Sequence, residues 1–141
     1  MIRLAALVAA VLLALAMSGV RAEVADGDRA AIRTIITGQI EAFRRDDGDA
    51  AYAYAAPAIR DFFPTAVIFM DMVRKGYQPV YRPQAFTFGP IVESPFGLKQ
   101  KVYLTGPDGR GYVAEYTMQR QPDGTWKING CVILKDDSPS I

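Results

Sequence analysis

Histidine is missing from this chain altogether, and cysteine occurs once, at position 131. Without histidine there is no Ser-His-Asp or Cys-His nucleophile, no imidazole ligand for zinc, and no side chain that ordinarily changes charge near neutral pH. Any catalysis would fall to Asp, Glu, Tyr, Lys or Arg, or to a bound cofactor. A lone cysteine cannot form an intrachain disulfide, so the fold has to rest on its apolar core. Cys131 lies in the run Ile128 to Leu134, where a thiol behaves as a small buried hydrophobe. Phosphate-cradling glycine loops and dinucleotide fingerprints are also missing, and no cofactor or metal is expected. Nor is there an excess of either charge. Beyond residue 22, 14 basic side chains face 15 acidic ones, which leaves no electrostatic footprint for nucleic acid or anionic lipid. The one tight acidic cluster, Asp46-Asp47-Gly48-Asp49, reads as a solvated turn, since a hard-cation site needs more oxygen ligands in a formed loop.

One long apolar run is present, and it sits at the start. Arg3 precedes 14 residues, Leu4 to Met17, with no polar side chain. A membrane-spanning helix needs about 20, so the run suits the middle of a secretory signal peptide. Ser18-Gly19 breaks it, and Val20-Arg21-Ala22 offers compact residues before a cut that leaves Glu23 first. The expectation is a signal peptide over 1–22, a single domain over 23–135 and a frayed tail over 136–141. No cysteine stands where a lipid would be attached. The product is therefore expected outside the cytoplasm with no stable membrane anchor, in the periplasm or fully secreted.

Within the domain, helical spacing comes first. Asp28 to Arg45 carries Ile32, Ile35, Ile36, Ile40 and Phe43 on one stripe, with Asp26 or Asp28 placed to cap its start. Asp49 is placed to cap a short helix over Ala50 to Ala56. Pro57 interrupts, and Ala58 to Phe63 adds a turn. Thr65 to Lys75 reads as a further helix with Ile68, Phe69, Met72 and Val73 as its apolar stripe. Gly76 stands as its terminating residue, and Pro79 blocks continuation. From Val80 the pattern is extended. Pro107-Asp108-Gly109 and Pro122-Asp123-Gly124 are turns in which proline fixes one φ and glycine accepts a positive one. They join Lys99 to Thr105, Gly111 to Arg120 and Trp126 to Leu134 into an antiparallel meander. Helices followed by a meander give an α+β fold.

Several separated segments carry a resemblance. They are Gly38-Gln39-Ile40-Glu41-Ala42-Phe43-Arg44-Arg45-Asp46-Asp47, Ala51-Tyr52-Ala53-Tyr54-Ala55-Ala56-Pro57 with Ile59-Arg60, Phe69-Met70-Asp71-Met72-Val73-Arg74, Gly76-Tyr77-Gln78-Pro79-Val80-Tyr81-Arg82-Pro83 and Trp126-Lys127-Ile128-Asn129-Gly130-Cys131. In this order they resemble the bacterial family called domain of unknown function 4864. The helix-then-sheet order is also similar to the wider nuclear-transport-factor-2-like, or SnoaL-like, cone fold. That likeness implies a cavity between helices and a concave sheet. Its members include isomerases, dehydratases, polyketide cyclases and non-catalytic binding or assembly domains, so fold alone selects no function.

In such a cavity the polar and aromatic candidates are Tyr54, Arg60, Tyr77, Tyr81, Arg82 and Tyr116, with Trp126 and Asn129 beside them. Residues 76–83 are either a rim that stacks on a ligand and holds an anion through Arg82, or a rigid connection packed on the core. Arg60 reads as a structural pairing. Trp126 reads as core. Asn129, before Gly130, is placed to mark a bulge. No carboxylate suits general acid–base work: Glu115 alternates against Tyr112, Ala114, Tyr116 and Met118 and should face solvent, while Asp61, Asp71, Glu93 and Asp108 fall in turns or on polar faces. The leading expectation is a non-catalytic exported domain that binds a small apolar or anionic molecule or a partner protein, with a homodimer through the sheet. The alternative is a histidine-free isomerase or lyase that uses Tyr with Asp or Glu.

Overall fold

The computed structural model describes residues 24–135, so the expected signal peptide and tail lie outside the described residues. Five helices come first: α1 (Asp26–Arg44), α2 (Gly48–Ala53), α3 (Pro57–Phe62), α4 (Ala66–Gly76) and α5 (Gln78–Tyr81). Four strands follow: β1 (Ala85–Ser94), β2 (Gly97–Thr105), β3 (Gly111–Arg120) and β4 (Trp126–Lys135). They form one antiparallel sheet in the order β1-β2-β3-β4. The α+β expectation is met. No described helix is long and apolar enough to cross a membrane.

The apolar stripe of α1 lies across the sheet, burying Ile32, Ile36, Ile40 and Phe43. The expected aspartate cap is not made: Ala25 stands at the cap position without a side-chain bond. Asp28 instead accepts from Arg120 Nη2 at 2.6 Å and from Trp126 Nε1 at 3.2 Å. A charge-assisted pairing to β3 and β4 outweighs a cap at a helix end that water can satisfy. Asp46 ends α1 with φ +55°, a left-handed conformation that short polar side chains tolerate.

Helix α2 is capped by Asp47 rather than Asp49, through Ala50 N donating to Oδ1 at 3.1 Å. Pro57 opens α3 at a position where its missing N–H costs nothing. Thr65 caps α4 through Ile68 N at 3.1 Å. The buried set of α4 is Phe69, Met70 and Val73, whereas Ile68 is 48% exposed. The helix is rotated from the expected stripe because Met70 packs onto Gly48 of α2, where a Cβ would lie 3.0 Å from its Cγ. Gly76 stays inside α4, and Pro79 does not stop the helical path. It sits in the first turn of α5, so extended structure begins at Ala85 rather than Val80.

Both Pro-Asp-Gly turns form as expected, with Gly109 at φ +77° and Gly124 at φ +86°. Strand β1 adds a fourth strand through the turn at Pro95-Phe96, and its register slips between Phe88 and Ile91. The wholly buried Gln100 mends that irregularity: its Nε2 donates to Gly89 O and Lys101 O, both at 2.8 Å. Ala114, Tyr116 and Met118 are buried under α1, and Trp126 is 8% exposed. Glu115 pairs with Lys101 on the outer face. Thr117 pairs with Gly130 and Met118 with Ile128, so Asn129 is the extra residue of a bulge.

Candidate functional site

A cavity of about 270 Å³ lies between the helices and the inner face of the sheet. It is slightly smaller than the range of about 300–1,000 Å³ usual for ligand sites. Helix α1 contributes Gln39 and Phe43, and α3 with the residue after it contributes Ile59 and Phe63. Phe69, Met72 and Val73 come from α4, followed by Tyr77 and Val80. Ala55 closes one side, and the floor is Tyr116 of β3 with Ile128, Gly130 and Cys131 of β4. The link between α2 and α3 is pinned to β4 there, with Ile128 N donating to Tyr54 O at 2.9 Å and Ala56 N to Ile128 O at 2.8 Å. None of these lining residues is charged.

The polar groups in the wall are few and neutral. Gln39 is buried on the isoleucine stripe and donates from Nε2 to Ala51 O at 3.2 Å. Tyr116 is 1% exposed. Its hydroxyl has no hydrogen-bond partner among the described residues. Burial, followed by the charge of the adjacent Cys131, pushes it well above the ordinary tyrosine range. The Cys131 thiol is near enough to interact with it, but only as a weak sulfur neighbour that falls short of a formed hydrogen bond. Cys131 is partly buried as a residue, yet its thiol takes the enclosed side, and burial pushes it up to about 12. Both groups therefore stay protonated near neutral pH. Outside the wall, the exposed Phe62 extends the apolar surface, with its ring 5.1 Å from that of Phe63.

A family described as Domain of unknown function (DUF4864) matches residues 25–141. The chain belongs to that family. No curated protein and no solved structure matches it. In this DUF4864 domain the six residues expected at the site separate into two groups. Tyr77 and Tyr116 line the cavity. Tyr54 instead lies against α1, where a Cβ on Gly38 would come within 2.7 Å of its Cζ. The glycine leaves room for the hydroxyl end of that ring against the helix. Arg60 stacks 4.8 Å over the Tyr52 ring and donates to Ala55 O and Tyr52 O, each at 3.2 Å. Tyr52 O already accepts from Ala55 N at 3.1 Å, so the guanidinium adds a second donor there and fastens the end of α2 to the link that follows it.

Tyr81 and Arg82 form a separate ionic knot with Asp46. The Tyr81 hydroxyl donates to Asp46 Oδ1, and Arg82 Nη2 donates to Oδ2 at 2.8 Å. Arg82 also donates to Phe43 O and lies 4.0 Å over the Tyr81 ring. Arg74 Nε reaches the Tyr81 hydroxyl at 3.2 Å. Hydrogen bonds from Tyr81 and Arg82 hold the Asp46 carboxyl below the usual range. In the DUF4864 chain this stretch thus ties α1 to α4 and α5, and its arginine is engaged by the protein itself.

Gln39, Cys131 and Met72 are cavity residues that the sequence did not single out. Gln39 carries a legible signal, one polar side chain between Ile36 and Phe43 on an otherwise apolar stripe. Cys131 reaches the inner face because the bulge at Asn129 shifts the parity of β4. Among the described residues no three Cys, Asp or Glu side chains gather as a metal set would.

Proposed function

We propose that this is an exported, non-catalytic domain that binds a small apolar molecule in the cavity between α1, α4 and the sheet. The observation that carries the reading is the uncharged wall. It favours an apolar ligand over an anionic one, because a buried anion without a cation nearby loses its hydration uncompensated. The position of the cavity, between helices and the inner sheet face, supports the likeness to the nuclear-transport-factor-2-like cone. An isomerase or lyase would need a carboxylate converging with a tyrosine, and the wall has Tyr77 and Tyr116 without Asp or Glu. Native mass spectrometry of the protein purified from the exported fraction tests both halves of the reading. A mass starting at Glu23 with a reproducible small adduct is the expected result. A chain found only in the cytoplasmic fraction would overturn export, a full-length mass would overturn cleavage before Glu23, and a bare protein that also fails to take up apolar probes would overturn binding.

The outer sheet face supports a homodimer as a second reading. Tyr103, Val113 and Leu134 stand in register across three strands, and Tyr103 and Leu134 are both exposed. Antiparallel sheets usually present polar residues on a solvated face. Beside this apolar row, Lys101 faces Glu115, so a second copy turned by a two-fold axis would find both apolar and opposite-charge partners. Light scattering of Leu134→Lys against the parent chain tests it, with a shift from dimer to monomer expected.

A further inference from the structure

The polar groups of the wall specify the ligand more narrowly than its apolar residues do. We propose that the cavity takes an uncharged molecule bearing a hydrogen-bond acceptor such as a carbonyl oxygen, which docks on the Tyr116 hydroxyl while its apolar body packs on Phe43, Phe69 and Val73. This rests on the binding reading of the same cavity.

A buried hydroxyl without a partner is uncommon in a folded protein, and it is left unsatisfied at a cost. The Tyr116 hydroxyl is such a group, sealed from water, on a side chain that forms part of the cavity wall. A ligand acceptor would supply the missing partner. Because the hydroxyl is sealed, docking includes a small movement of the wall. Cys131, directly opposite Tyr116 in the register and only partly buried, is the neighbour placed to give way. The hydroxyl acts only as a donor there, since burial keeps it protonated. The thiol beside it is kept neutral in the same way. A ligand carboxylate would meet no lysine or arginine in the wall. A ligand with no polar atom would leave the hydroxyl as orphaned as before. An uncharged acceptor satisfies both conditions.

Three probes of nearly one shape test this by NMR titration of the purified chain at neutral pH: acetophenone, ethylbenzene and benzoate. Acetophenone is expected to bind about tenfold tighter than ethylbenzene, the contribution of one hydrogen bond, and benzoate weakest. In Tyr116→Phe the advantage of acetophenone should vanish while ethylbenzene binding stays unchanged. The variant should keep its melting temperature, because the hydroxyl it loses has no partner. Equal binding of the two neutral probes, tighter benzoate binding, or an unaltered ratio in Tyr116→Phe would overturn the inference and leave the binding reading standing. Binding of neither neutral probe would overturn both. If Tyr116→Phe does not fold, the ratio in the parent chain decides alone.

Discussion

Two tyrosines, Tyr81 and Tyr116, sit in opposite surroundings. Both belong to the buried core. The Tyr81 hydroxyl is shared between Asp46 and Arg74 in a charged knot near the surface. The Tyr116 hydroxyl ends among neutral groups with no partner. The first arrangement uses its polar atoms to hold α1 against α4 and α5. The second leaves a polar atom uncommitted on a side chain of the cavity wall. A residue type alone does not distinguish a structural tyrosine from a binding one. Whether the protein already satisfies its hydroxyl does.

The largest expected effect comes from removing a whole ring. Tyr116→Ala should destabilise the fold by about 3–5 kcal/mol, the cost of emptying a large buried site, read as a fall in the denaturant midpoint. Next, the same small change should act differently at the two positions. Tyr81→Phe strips a bond from Asp46 and another from Arg74, and should lower the melting temperature by several degrees. Tyr116→Phe should leave it unchanged or slightly raised. A matching loss at both positions would erase the contrast.

Titration sharpens the comparison from both ends of the pH scale. The Cys131 thiol is raised to about 12 in the folded state, against about 8.5 when unfolded. Between those values the unfolded chain has lost a proton that the folded chain keeps, so stability is full below about pH 8.5 and falls as pH rises. Cys131→Ala should flatten the first part of that alkaline slope in melting curves. Asp46 behaves in the opposite sense. Its carboxyl is held low by Tyr81 and Arg82, so its contribution is present above the unfolded value of about 3.9 and is lost as pH falls below it. Because Asp46 is well exposed, this acid effect should be the smallest of the series. Asp46→Asn, which still tolerates the positive φ, should remove it.

Much of the fold was legible because it depends on spacing and turn chemistry. The isoleucine stripe of α1, the two Pro-Asp-Gly turns and the inward set of β3 all follow from residues a few positions apart. The bulge at Asn129 was legible too, from an asparagine followed by glycine in an apolar strand. The site was less so. Tyr54, Arg60, Tyr81 and Arg82 share the aromatic and basic character of a binding rim. Their partners, Gly38, the carbonyls at the end of α2, and Asp46, are distant in sequence or carry no side-chain signal.

The sequence by itself determined the α+β order of elements, the α1 stripe that covers the sheet, and the chemistry ruled out by a chain without histidine. Tertiary structure alone decided which tyrosine is satisfied. It did so by turning α4 so that Met70 meets Gly48, by bringing Asp46 to Tyr81, and by a bulge that carries Cys131 inward beside Tyr116. Periodicity is a property of neighbouring residues and survives in the sequence. Hydrogen-bond satisfaction depends on which distant groups arrive at one atom, and only the packed chain fixes that.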